Sequence, residues 1–315
     1  MGQSKSSTTS KSNASLTKTQ TLFLSLSKSL SAFELQDYDS IFLSLAETEG
    51  ANTFWSEDTF VRFLDVPPKI GSLLFKSASY LASLPNVENA PVPLNREGLG
   101  IAVLILTQHV PADVFTKQEI HRLIFNSFAD VPQQEESIDT SEKLSKARYA
   151  PKVPIPKMTQ LILFLLESAT FQAPSTLESS HSSTTNQHQA ALIAKSMLSA
   201  IQSYANSQSE SIHYDSLRAF VEYDAPFFFD PIIPLFQKFL YDKEKWGDNP
   251  KFREDWTGTL QAEKTTELMS ESTLAQISTF LPKERRLGKL TSLYIGSNDG
   301  FSMGMFESKV LKYPG

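Results

Sequence analysis

The chain opens MGQSKS, and this stretch carries the one modification chemistry that the sequence spells out. Removal of Met1 leaves the amine of Gly2 at the terminus, with Ser6 where an N-acyltransferase favours a small hydroxyl, the pattern M-G-x-x-x-[ST] of N-myristoylation. The flank suits an acceptor: residues 1–33 hold Lys5, Lys11, Lys18 and Lys28 with no acid before Glu34, in a Ser- and Thr-rich tail too polar to bury a core. Gly2 is the expected lipid-attachment residue. One myristoyl chain binds a bilayer only marginally, and with no cysteine in the chain palmitate cannot add a second anchor. Stable membrane residence is therefore expected to need a membrane-bound protein partner.

A second chemistry is coordination of a hard cation. In ETEGANTFWSED, residues 47–58, one register puts Glu47, Glu49 and Asp58 at the first, third and twelfth positions of a calcium loop and Phe54 at its apolar eighth. Ala51 then stands fifth, Asn52 replaces the turn glycine, and Asp58 is shorter than the bidentate Glu such a loop uses. The other loop, NSQSESIHYDS from Asn206, has fewer donors still. Degenerate, structural helix–loop–helix pairs are the expectation, with no metal ligand assigned. A calcium sensor is the alternative function. The histidines, His109, His121, His181, His188 and His213, show no ligand spacing. REGLGIAV from Arg96 has Gly98 and Gly100 but lacks the third glycine of a dinucleotide fingerprint. Acids and serines form no recognisable catalytic constellation. The expectation is a chain without enzymatic activity, cofactor or small-molecule substrate, an unrecognised hydrolase being the third reading.

These residues need elements to position them. Leu22, Leu26, Leu30 and Phe33 recur at helical spacing, as do Tyr38, Ile41, Phe42 and Leu45. Ser56 caps a helix bearing Phe60, Phe63 and Leu64, and Thr116 with Glu119 forms a capping box ahead of Ile120, Leu123, Ile124 and Phe128. Met158–Ala169 reads as a short apolar helix and Ile193, Met197, Ile201 and Tyr204 as the stripe of another. DTFVRFLD (58–65) and DSLRAFVE (215–222) align without gaps, as a repeated unit would. The organisation is a tail (1–19), a helical region (20–129), a polar, Pro-punctuated loop (130–156), a second helical region (157–280) with a low-complexity linker at 172–189, and a distinct segment at 285–315. In EYDAPFFFDPIIPLFQKFLYDKEKW, from Glu222, aromatics crowd around prolines, as core or as a partner-binding patch. A net charge of −6 supplies no basic field for nucleic acid. LILFLLESATF is too short to span a membrane.

The last stretch, LTSLYIGSNDGFSMGMFESKVLKYPG with the preceding LPKERRLGK, resembles the opening of a TLDc domain. Leu293 and Tyr294 match the end of its first strand, Asp299 to Ser302 its turn, and Phe306 and Lys309 its helix. Together with the acylatable tail and the degenerate EF-hand-like helices, this looks like the fungal restriction-of-telomere-capping protein 5 family, a relative of the animal lysosomal TLDc proteins. The resemblance implies a mainly α chain: a degenerate EF-hand-like helical region followed by the start of an α+β TLDc β-sandwich, truncated at its C-terminus. It implies a non-enzymatic regulator or adaptor of the cytoplasm and the vacuolar membrane surface, linked to oxidation resistance and to the vacuolar proton-pumping ATPase as partner. Any effect on telomere capping is expected to be indirect, without direct nucleic-acid binding, and no catalytic residues are transferred.

Overall fold

Ser31 and Glu34 break the spacing of Leu22, Leu26, Leu30 and Phe33 into two helices. α1 (Lys18–Leu26) starts on a Thr17–Gln20 capping box and ends in a 3₁₀ turn (Ser27–Ser29). α2 (Ala32–Leu45) starts on a second box, in which Ser31 N donates to Glu34 at 2.7 Å and Glu34 N donates back to Ser31 Oγ at 3.3 Å. Phe23 and Leu26 are the buried anchors of α1, and Phe33 is left exposed.

The computed structural model describes residues 16–50, 52–87, 90–129, 151–168, 183–205, 209–241, 261–262, 270–282, 285, 289–290 and 293–312, and within them the chain is mainly helical. β1 (Glu47–Glu49) and β2 (Asn52–Trp55) form an antiparallel hairpin that turns at Gly50, whose φ of 62° carries no steric cost without a Cβ. There follow α3 (Glu57–Leu64), α4 (Pro68–Ala82), β3 (Leu94–Asn95) and α5 (Arg96–Leu106), with β3 antiparallel to β2. The plan then recurs. α6 (Lys117–Phe128), β4 (Lys152–Pro154) and α7 (Ile155–Ser168) make one helix–strand–helix unit, and α8 (Ser183–Ser203), β5 (Ser211–His213) and α9 (Tyr214–Tyr223) make the next, with β4 antiparallel to β5. The aligned octapeptides lie at α3 and α9, each directly behind a paired strand, so their likeness reflects an equivalent place in the unit.

α5 is the centre of the first pair, with every residue from Gly98 to Leu106 buried. A Cβ on Gly98 would stand 2.9 Å from that of Ala82, and one on Gly100 would stand 2.3 Å from the Phe23 ring. These glycines let α4 and α1 close on α5; they belong to a helix and not to a phosphate loop. β4 and the first turn of α7 fall inside the stretch read as loop 130–156, because Pro156 sits in a first turn, where its missing N–H costs nothing. Residues 183–189, read as linker, are helical in α8; 172–182 lie outside the described residues.

A 3₁₀ turn (Asp230–Ile232) leads into α10 (Ile233–Gln237). β6 (Gln261–Ala262) pairs in parallel with β7 (Lys289–Leu290), and α11 (Glu271–Ser278) packs on α7 and α8. α12 (Gly296–Asp299) and α13 (Met303–Val310) end the described chain. Leu293–Ile295, expected as a strand, joins no sheet among the described residues, which hold one three-stranded and two two-stranded sheets and no sandwich.

Candidate functional site

The strands β2, β3, β4 and β5 each turn one apolar side chain inward. Trp55 lies opposite Leu94 and Val153 opposite Ile212, all buried. Phe54, the residue the sequence suggested for the apolar eighth position, is instead half-buried opposite Asn95. The loop register therefore moves by one. With the inward residue as the eighth, the twelfth positions are Thr59, Gly98, Lys157 and Ser216, and none carries the carboxylate that closes a calcium loop.

The acids of the first loop are used otherwise. Glu47 accepts hydrogen bonds from Ser56 Oγ and, at 2.7 Å, from Thr59 Oγ1, which hold its carboxyl below the usual range. Thr59 N donates to Ser56 Oγ at 3.3 Å, so Glu47 braces the start of α3. Glu49 and Asp58 are exposed, at the hairpin and in the first turn of α3. Among the described residues no cluster of His, Asp and Glu could hold a metal ion.

The Phe-rich stretch is core. Phe228, Phe229, Phe236 and Phe239 are at most 1% exposed. Phe239 lies 4.7 Å from Phe63 and 5.5 Å from Trp55, and Phe236 lies 6.2 Å from Phe60, ring centre to ring centre. Phe228 meets Phe220 of α9 at 5.8 Å, and Phe229 meets His121 of α6 at 5.4 Å. One segment thus fills the first pair and clasps the second. Polar bonds tie it down: Lys238 Nζ donates to the Leu64 carbonyl at 3.2 Å, where the C-terminus of α3 favours a cation, and the Tyr241 hydroxyl donates to Glu34 at 2.7 Å. Burial pushes the Glu34 carboxyl up, but hydrogen bonds from Ser31 and Tyr241 bring it below its usual value. Burial, with Lys117 close by, depresses His121 to about 4.

The other histidines are dispersed. The His109 carbonyl accepts from Ser29 Oγ at 2.8 Å, His213 pairs across from Lys152, and His188 is exposed on α8. His181 and Gly2 lie outside the described residues. Near the C-terminus the residues singled out by the resemblance hold one another. The Tyr294 hydroxyl donates to the Gly300 carbonyl, and its ring meets Phe306 edge-on at 5.4 Å. Asp299 accepts from Ile295 N at 2.8 Å and from Lys309 Nζ at 2.5 Å. Outside this knot Phe301 is 93% exposed, beside exposed Met303, Met305 and Leu311. No helix among the described residues is long and apolar enough to cross a membrane.

Many relatives of the chain are fungal. A protein of Sordaria macrospora named restriction of telomere capping protein 5 is 27% identical over 91% of this chain and 58% of its own length, and the protein of that name from Pyrenophora tritici-repentis is 26% identical over 91% and 57%. The chain is a homologue of these proteins. The restriction of telomere capping protein 5 of Kluyveromyces lactis is 34% identical over a shorter span, 40% of this chain and 21% of that protein. The chain spans just under three-fifths of the length of the Sordaria and Pyrenophora proteins, 58% and 57%. No family model matches it, and no solved structure does.

Proposed function

We propose that the chain is a non-enzymatic regulator or adaptor, held at the vacuolar membrane surface by a myristoyl group on Gly2 and acting through protein contacts. The observation that carries this reading is homology, over 91% of the chain, to fungal proteins named for restriction of telomere capping. A net charge of −6 favours an indirect effect on that process over direct contact with nucleic acid. In this reading the paired helix–strand–helix units are degenerate EF-hand pairs whose loops have exchanged metal ligands for packing and capping. Support comes from the inward pairs Trp55–Leu94 and Val153–Ile212 and from the hydroxyls that engage Glu47. The same features weigh against a calcium sensor. Residues 293–312 are read as the opening of a TLDc domain, with Tyr294, Asp299, Phe306 and Lys309 in its first turn and helix. By that resemblance the partner is the vacuolar proton-pumping ATPase and the setting is oxidation resistance.

Purification from fungal cells tests the proposal. The N-terminal peptide should carry an acyl group on Gly2 by mass spectrometry, and subunits of the ATPase should co-purify. A free Gly2 amine or a retained Met1 would remove the tether, and loss of the ATPase from an acylated preparation would remove the partner.

A further inference from the structure

The described chain begins beside a hollow. Leu16, Leu22, Pro85 and Val114 supply its apolar lining, and its volume of about 560 Å³ falls in the range of small-ligand sites. Leu22 and Val114 pack against the core, while Leu16 is 58% exposed. The walls are tied in place: Thr19 Oγ1 on α1 donates to the Leu84 carbonyl at 3.4 Å, and Val114 N closes a turn onto the Pro111 carbonyl at 2.9 Å. The charged residues of the lining, Lys18 and Asp113, are of opposite sign, so the hollow suits an uncharged, apolar occupant.

We propose that this hollow seats the acyl chain on Gly2. The inference rests on the lipid-tether reading and adds where the acyl chain goes when it is not in a bilayer. Reach allows it: Gly2 stands fourteen residues before Leu16, a length that spans up to about 50 Å when extended. Composition singles out the occupant. From Gly2 to Ser15 the only apolar side chain is the methyl of Ala14, so the one group on this segment that can fill an apolar hollow is the lipid. Once acylated, the Gly2 nitrogen is a neutral amide, which a lining of balanced charge accepts. A tether this short also holds its end at an effective concentration of about millimolar, so a seat too weak for a free fatty acid can still be filled. Lys18, Thr21, Pro85 and Asp113 leave the hollow open to solvent, and a bilayer or a membrane-bound partner can therefore draw the acyl chain out.

The test uses the 315-residue chain made in bacteria with and without a co-expressed N-myristoyltransferase, the acyl group on Gly2 being verified by mass spectrometry. Acylation should raise the melting temperature, because a group bound only by the native state stabilises it, and should slow amide exchange across α1 and around Val114. Leu16→Asp with Thr21→Asp puts two charges into the lining at exposed positions. The unacylated double variant should melt as the unacylated wild type does, which separates a lost seat from a lost fold. In acylated form it should lose both effects and sediment more fully than the acylated wild type with neutral phosphatidylcholine vesicles, since the freed acyl chain enters the bilayer. Acylation that leaves melting and exchange unchanged, protection confined to residues outside the hollow, or a double variant that sediments no better than the acylated wild type would overturn the proposal. Protein from fungal cells is scored separately. A free Gly2 there, or one the transferase cannot acylate, removes the tether and this occupant with it, whereas an acylated Gly2 with any of those failures leaves the tether standing and removes only the seat.

Discussion

Gly100 shows how one hydrogen atom in place of a methyl decides a contact. Alanine there gains about 1 kcal/mol of helix propensity, but its Cβ would lie 2.3 Å from the ring of Phe23, which is 2% exposed and cannot swing out. Overpacking of about 1–3 kcal/mol wins. Gly100→Ala should lower the melting temperature, while Gly304→Ala on α13, where the nearest heavy atom is 3.8 Å away, should leave it unchanged or raise it slightly. His121 gives a pH signature. An unfolded chain protonates this imidazole near 6.5, whereas the folded protein resists until about 4 because the ring is buried against Phe229. Between those values the unfolded state binds the extra proton, so stability should fall as pH drops, by about 1.4 kcal/mol per unit. Denaturant midpoints measured across that window should show the slope, and His121→Phe should flatten it.

At the level of elements, what could be read from the sequence was what local chemistry fixes. The Ser56 cap and the Thr116–Glu119 box form as their spacing requires, and the stripe through Phe60 and Leu64 is buried. The loop register was not legible, because Phe54 and Trp55 are both large and apolar and a slip of one residue exchanges the faces of a strand. The helical start of α8 was hidden by a run of Ser, Thr, Asn, Gln and His that carries no apolar period. The Phe-rich segment could not be assigned because core and docking surfaces use the same side chains; only the contacts with Trp55, Phe63 and His121 decide. Since Phe239 is fully buried among these rings, Phe239→Ala should cost about 3–5 kcal/mol. Phe301→Ala, at 93% exposure, should cost within about 0.5 kcal/mol, both read by chemical denaturation. The loops yield a third expectation. Without a carboxylate at Thr59, Gly98, Lys157 or Ser216, millimolar calcium should not raise the melting temperature, whereas a ligand bound only by the native state would.

For the whole molecule, the two pairs share one aromatic clasp, while both ends of the described chain put apolar side chains into solvent. Leu16, Leu24 and Phe33 lie at one end and Phe301, Met303 and Leu311 at the other. A body with a filled interior and exposed ends suits the proposed attachment, in which Gly2 would be the link to the membrane. Fractionation of fungal cells expressing wild type or Gly2→Ala tests that claim most directly. One acyl chain is marginal even when present and nothing else in the proposed tether replaces it, so removing it should shift the protein from the membrane pellet to the soluble fraction. A Gly2→Ala variant that pellets with membranes as fully as the wild type, or a wild type found only in the soluble fraction, would contradict the lipid-tethered account.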